Sequence, residues 1–532
     1  MKCDGLLDDA SAKAFDFASL RAAVAPASDY GERVFAHLAP FAPGEETPAR
    51  DRAVTIATVA RTMDAARLDA CRGIFRGVPD AATAIARASM GDTLSDANFL
   101  ELQRFFDACS RIDALLEPAA LPACVNAAVL ACARAIETGR TGRFGFFLAD
   151  AFDAALASAR ADLDRAQAEY DAVRGRSAAR VAKALDREIS GPEFIVMRAD
   201  LRGSLPVGVR VVRESPTYVL CELDADEATL AALERRDACA SALAIQEEAV
   251  RGRLSHIVRA HASALDAAAS QFGEIDVLVA AARFTQAHDC VPADVADRAV
   301  LAFKDGRFVP LAMELASEGR AFTPVSVHLE DVAVLTGPNM GGKSVCLRTC
   351  GLVAICTAYG LPVPARAATC GIFDEISWLG LGAEDDGGGL LSSFAREVVR
   401  LRDVLGRKRI RRFVVLDEFA RTTTPREGRA LLVAVIERLQ FLGAVGMAAT
   451  HLADVGEGSV RHFAVRGLRG IPEAPRARSL ADALAALAAS MDYTIEEVTG
   501  GTARRSDAIA LASLLGLDEN IVASAYRELR EE

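Results

Sequence analysis

Eight consecutive residues constrain this chain more than any other stretch: Gly337-Pro338-Asn339-Met340-Gly341-Gly342-Lys343-Ser344. They satisfy the pattern G-x-x-x-x-G-K-[ST] in full. The flanks are those the pattern requires. The apolar run DVAVL precedes it and predicts a strand, and VCLRTCGLVAI follows and predicts a helix. Glycines let a backbone wrap a phosphate with its N–H groups facing inward. The helix N-terminus adds partial positive charge at the same place. Lys343 is expected to reach the β- and γ-phosphates of ATP, and the Ser344 hydroxyl to hold Mg²⁺.

Two further segments suit such a site. Arg412-Phe413-Val414-Val415-Leu416-Asp417-Glu418 is a continuous apolar run ending in two carboxylates, the texture of a buried parallel strand. At its end, Asp417 is expected beside Mg²⁺, and Glu418 is expected to polarise the attacking water as general base. Taken alone, the run is also compatible with any strand that ends in acids. Ala448-Ala449-Thr450-His451 follows the apolar stretch FLGAVGMAA. A His at a strand end near the γ-phosphate can report its presence, although a lone His commonly reports nothing.

The 532 residues suggest two to four domains. Half are hydrophobic and a quarter charged, as in a folded protein. The net charge of −12 argues against a chain devoted to gripping nucleic-acid backbone, but leaves room for a local basic patch. Twelve cysteines include no C-x-x-C pair, and Cys346 and Cys350 lack zinc spacing. They are expected as reduced, buried thiols. No cationic and apolar leader and no uncharged apolar run of about 20 residues is found. The expectation is a cytoplasmic protein with no membrane partner.

Along the chain, residues 1–80 predict mixed helices. Ser95 and Asp96 predict a helix start, with Phe99, Leu102, Phe106 and Ile112 on one buried face. A long Ala-rich helix is predicted over 147–189, then three short strands, then helices again from Asp224. From about 299 to 468 the texture is α/β. Residues 471–486 predict a linker and a short helix, and two helices close the chain. The run Arg407-Lys408-Arg409-Ile410-Arg411-Arg412 is either a solvated strand entry or a contact for DNA or a partner.

At this point a resemblance becomes specific. GPNMGGKS, LSSFAREVVRL, DEFARTTTPREG, ATHL and the tail SDAIALASLLGLDENIVASAYREL together resemble the ATPase region of the MutS family. The likeness implies a multidomain chain. It would have an N-terminal helical segment at 1–80 and core and lever helices at 81–270, with a small β clamp insert at 193–223. An α/β P-loop NTPase domain of ABC type would follow at 271–470, and a C-terminal helix-turn-helix for dimerisation at 471–532. It also implies a homodimer with composite ATP sites. In these, Gly337, Pro338, Asn339, Met340, Gly341, Gly342, Lys343 and Ser344 bind nucleotide. Ser344 and Asp417 hold Mg²⁺, Glu418 and His451 act on the γ-phosphate, and Ser392 or Ser393 approaches from the second subunit.

The departures are as informative. Only about 80 residues precede the lever-like core in this sequence, so a counterpart of the family's mismatch-reading domain is not expected within it. Phe272-Gly273-Glu274 has the reader's spelling but lies at the lever–ATPase junction, which excludes that role. Ala420-Arg421-Thr422-Thr423-Thr424-Pro425 replaces a glycine-rich loop, and Val345 stands where a second hydroxyl is usual. Two functions stay open. One is an ATP-driven machine on branched or damaged DNA, with Arg198, Arg202, Arg210 and Arg213 of the insert available for phosphate. The other is a factor that reactivates a cobalamin-dependent aminomutase of the lysine 5,6-aminomutase type, working with a partner reactivase subunit. A nucleotide-binding module that never turns over is a third, and the retained Glu418 argues against it.

Overall fold

The computed structural model describes residues 1–2, 5–119, 121–141, 145–189, 191, 193–201, 203–338, 341–380, 393–407, 411–452, 455, 460–468, 490–498, 509, 512–513 and 517–531. The chain divides into two compact units, one of residues 1–77, 114–122 and 270–532, the other of 78–113 and 123–269. It is rich in helix and carries separate mixed sheets.

The second unit is built on long helices. Helix Asp96–Leu116 begins where Ser95 Oγ accepts from the Asn98 N–H at 3.3 Å. Phe99, Leu102, Phe106 and Ile112 are all buried, as their spacing requires. Helix Ala154–Ala184 is shorter than the texture of 147–189 suggests. It starts only where the Asp153 side chain caps the Ala155 N–H, and it ends just before Asp186 takes a left-handed conformation. Gly175 does not interrupt it. Helix Glu227–Ala260 packs along it. Asp226 joins the two: it caps Thr229 at 2.9 Å and accepts from Ser177 Oγ at 3.0 Å and Arg180 at 2.8 Å.

Between these helices in sequence lies a three-stranded antiparallel sheet, ordered Glu193–Met197, Tyr218–Leu223, Val209–Glu214. Alternation puts Phe194, Val196, Val219 and Cys221 on one face, against Val181 of the helix. Of the arginines considered for phosphate, Arg198 pairs with Glu214 and Arg210 with Glu222. Arg202 lies outside the described residues. Arg213 is exposed and makes no ion pair among the described residues.

In the first unit, helices Asp9–Ala14, Phe17–Ala23, Asp29–His37, Glu46–Thr62 and Ala65–Gly77 pack with the α/β part of the chain. Phe272 is fully buried, its ring 5.4 Å from Tyr30 and 4.9 Å from Phe75, centroid to centroid. A side chain enclosed by two rings has no face left for a base. Gly273 allows the contact: a Cβ there would stand 2.5 Å from the Tyr30 carbonyl oxygen. One turn on, the buried Asp276 carboxylate accepts from the Ala27 and Ser28 N–H groups and the Ser28 hydroxyl. Burial pushes its pKa up, while the Ser28 and Ala27 hydrogen bonds pull the other way.

Two sheets complete this unit. A four-stranded one runs Asp294–Ala296, Ala367–Gly371, Leu301–Gly306, Val325–Leu329. A six-stranded one runs Glu375–Gly380, Arg412–Asp417, Val445–Thr450, Val332–Thr336, His462–Leu468, Met491–Glu497. The first five strands of the larger sheet are parallel and the last is antiparallel. Its outer strand Glu375–Gly380 is covered by the start of the chain. Leu6 O accepts from the Ile376 N–H, Ser11 Oγ accepts from the Trp378 N–H, and Phe15 meets the Trp378 ring edge-on at 5.2 Å.

The described arginines of the basic run at the entry to Arg412–Asp417 have acidic neighbours within the chain. Arg407 pairs with Glu375, Arg411 with Glu46, and Arg412 is buried near Glu375. Lys408, Arg409 and Ile410 lie outside the described residues. The thiols described are free and mostly buried. No described helix is long and apolar enough to cross a membrane. Of the closing helices, Glu519–Glu531 is described; most of the first, and the linker at 471–486, lie outside the described residues.

Asp276→Ala removes the acceptor from three donors, the two of Ser28 buried and that of Ala27 half-buried. It should cost about 3 kcal/mol in urea denaturation, with Asp276→Asn losing less.

Candidate nucleotide site

In an open sheet of parallel strands, ligands bind beyond the carboxyl ends. Here the register brings Asp417 beside Ala449, and Thr450 beside Thr336, so three strand ends lie next to one another. The strand Val332–Thr336 is buried through Leu335 and half-buried at Thr336, and the chain then turns at Gly337. A Cβ on Gly337 would come within 2.8 Å of the Val465 side chain. Gly342, with φ +86°, closes the turn and caps helix Lys343–Ala358. Asn339 and Met340 lie outside the described residues.

Lys343 is buried and folds back over the turn. Its ammonium donates to Gly337 O at 2.9 Å and Pro338 O at 3.3 Å, and lies 3.6 Å from Glu418 Oε1. Ser344 Oγ donates to Asp417 Oδ2 at 3.0 Å. Burial pushes the Asp417 pKa up to about 6; the Ser344 hydrogen bond opposes this and the Glu418 charge reinforces it. A cation at this point would reverse the balance. A hydroxyl and a carboxylate are hard oxygen donors, which suit Mg²⁺ with water and phosphate oxygens as its other ligands. Among the described residues no group of three or more His, Cys, Asp and Glu forms a self-sufficient metal centre.

Glu418 takes a left-handed conformation, φ +54°, and its N–H bonds to Ala449 O at 2.9 Å. This turn swings its side chain toward His451, whose Nδ1 lies 3.0 Å from Glu418 Oε2. Glu418, its side chain 10% exposed, lies between Lys343 and this half-exposed ring. A cavity of about 30 Å³ lies here, bordered by Glu418, Ala420, Thr423, Gly428, Thr450 and His451, enough for a water molecule. The loop then enters helix Pro425–Phe441 through a reciprocal cap. Thr424 Oγ1 accepts from the Glu427 N–H and donates to the Glu427 carboxylate, with Pro425 in the first turn.

The structure thus joins Lys343, Ser344, Asp417, Glu418 and His451 in one cluster, with Gly337, Pro338, Gly341 and Gly342 in its turn. Ser392 lies outside the described residues. Ser393 opens helix Ser393–Gly406, but its side chain lies outside the description. Two site residues escaped the sequence reading. Glu397 Oε2 accepts from the Ala420 N–H at 2.9 Å and ties that helix to the loop after Glu418. His462 Nε2 lies 2.9 Å from Thr336 Oγ1 at the mouth of the turn, and burial lowers its pKa. A carboxylate within the helical run SFAREVVRL was the only available hint of the first; the second left none.

Known proteins resemble this chain over the same region. The model of MutS domain V matches residues 333–531. The endonuclease MutS2 of Carboxydothermus hydrogenoformans is 31% identical over 270 residues, 49% of this chain and 31% of that protein. The DNA mismatch repair protein MutS of Granulibacter bethesdensis is 34% identical over 259 residues, 47% of this chain and 28% of its own length. That of Azorhizobium caulinodans is 28% identical over 498 residues, 87% of this chain and 51% of the relative. The chain therefore spans about half or less of the length of these curated relatives. The aminomutase reactivation reading draws no support from them.

With its folded pKa raised, Asp417 holds its proton more tightly in the folded state. Its contribution to stability should therefore fall as pH rises from about 4 to about 6 in metal-free protein. Asp417→Asn should remove that slope and gain roughly 2 kcal/mol above pH 6, read from urea denaturation at several pH values.

Proposed function

We propose, since the chain belongs to the MutS family, that it is an ATP-hydrolysing switch that acts on DNA as a dimer. The observation that carries this reading is the cluster at three adjacent strand ends, where Ser344 meets Asp417 and where Glu418 lies between Lys343 and His451. Each member has a task in phosphoryl transfer to water, a reaction governed by positioning and charge. Lys343 exchanges the carbonyls of Gly337 and Pro338 for β- and γ-phosphate oxygens. The backbone N–H groups of Gly341, Gly342, Lys343 and Ser344 face the phosphates. Ser344 and Asp417 hold Mg²⁺, which when bound neutralises charge on the phosphates. Glu418 accepts the proton of the attacking water, and His451 orients the Glu418 carboxylate and senses the terminal phosphate.

The second subunit contributes Ser392 or Ser393 at the head of helix Ser393–Gly406. Within each chain, Glu397 of the same helix bonds the loop after Glu418, so the helix that offers its serine to the other subunit is tied to the chain's own base. The domain plan follows: residues 1–80 as an N-terminal helical segment, 81–270 as levers with the clamp sheet at 193–223, 271–470 as the ABC-type ATPase, and 471–532 as a helix-turn-helix dimerisation segment. DNA contact would be local, centred on exposed residues such as Arg213, because the chain carries a net charge of −12. The repair and endonuclease names of the relatives support a DNA target, and a cytoplasmic location goes with it.

Lys343→Ala should abolish Mg²⁺–ATP binding in calorimetry, and unchanged affinity would refute the site. Glu418→Gln should keep binding and slow turnover by roughly 10²-fold or more in a phosphate-release assay. The purified protein should bind branched or damaged duplex with an affinity that falls steeply with salt. Absence of binding at low salt, with ATPase activity intact, would reject DNA as the target.

A further inference from the structure

Helix Ser393–Gly406 is held unevenly along its length. Its second half is anchored by apolar burial: Leu401 and Val404 belong to the cluster that includes Leu416, Phe419 and Ala420. Its first half, Phe394 through Arg400, has no fully buried residue, and Phe394 packs against the cluster only in part. Polar contacts complete its placement. Glu397 bonds the Ala420 N–H. Arg400 follows three residues later, on the same side of the helix. One of its guanidinium nitrogens reaches both carboxylate oxygens of Asp8, at 3.2 and 3.3 Å.

Asp8 is itself a fixed point. Its carboxylate caps helix Asp9–Ala14, accepting from the Ser11 N–H at 2.7 Å. It stands between two attachments to strand Glu375–Gly380, the Leu6 carbonyl on Ile376 and the Ser11 hydroxyl on Trp378. That strand lies beside Arg412–Asp417, with Gly380 opposite Asp417. The pair is largely withdrawn from water, Arg400 being 23% and Asp8 30% exposed. Burial works to raise the Asp8 pKa, but the Ser11 hydrogen bonds and Arg400 outweigh it and hold the carboxyl below its usual range.

We propose that Asp8 and Arg400 are positioning residues for ATP hydrolysis, through which the opening segment sets how the head of helix Ser393–Gly406 meets the second subunit's nucleotide. The proposal rests on the reading of the cluster as an ATP site shared between two subunits. Leu401 and Val404 fix where the helix lies. Arg400 fixes its rotation about its own axis, and so the direction in which its first turn faces. A misplacement of about 1 Å at such a point can cost roughly a hundredfold in rate. Lys343 and Ser344 lie on another helix, so the chain's own phosphate turn is left undisturbed.

The test uses the full chain and separates turnover from binding. Asp8→Asn keeps a capping side chain for Ser11 and removes the charge that Arg400 meets. It should lower kcat for ATP about tenfold in a phosphate-release assay. Mg²⁺–ADP, which has no terminal phosphate for a second subunit to reach, should still bind within about twofold of the wild type in calorimetry. Arg400→Gln should match Asp8→Asn, and Arg400→Lys, which keeps the charge, should retain kcat within about threefold. The double variant Asp8→Asn with Arg400→Gln should lose no more than either single change, because the two residues act as one contact. A lowered urea midpoint with kcat unchanged would mean that the pair only stabilises the fold, and would overturn the proposal. An equal loss of ADP affinity, or additive losses in the double variant, would overturn it too. A wild-type protein that binds ADP but does not turn over ATP overturns the hydrolytic reading, and this proposal with it; the wild-type assay alone identifies that case.

Discussion

Two adjacent carboxylates at one buried strand end are the constraint on which the rest of this site depends. Asp417 and Glu418 repel each other, and both have left water. Burying charge is costly unless partners compensate it. The fold answers with two different surroundings. Asp417 stays in line with its strand, receives among the described residues only the Ser344 hydroxyl, and is left with a raised pKa. Glu418 is turned aside by a left-handed backbone and meets a cation and an imidazole. Neighbouring residues thereby acquire distinct chemistry, one suited to a metal ion and one to a proton.

Close backbone packing makes that geometry rigid. A Cβ on Gly380 would stand 2.0 Å from the Asp417 carbonyl oxygen, and one on Gly446 would stand 2.0 Å from that of Val414. The central strand is thus gripped on both sides by residues that have no side chain. An acid held this way cannot shift by the ångström that would spoil a phosphate or metal contact.

What could be read in the sequence was whatever local spacing encodes. The phosphate turn, the acidic strand end and the buried face of Phe99, Leu102, Phe106 and Ile112 each follow from residues a few positions apart. What could not be read depends on partners distant in sequence. Asp276 anchors Ala27 and Ser28, and Thr336 meets His462, across separations of 248 and 126 residues for Ser28 and His462. Arg407, Arg411 and Arg412 looked like a basic patch because their carboxylate partners, Glu375 and Glu46, lie elsewhere in the chain.

The cover over strand Glu375–Gly380 has a consequence for biosynthesis. Ser11 and Trp378 are separated by 367 residues. A ribosome working at about 5–20 residues per second needs roughly 20–70 s between the two. Phe15 and Phe17, buried in the finished protein, emerge early and must wait that long for their surroundings. The segment that covers this strand is thus made well before the strand itself, and its apolar side chains lack their final neighbours for that interval.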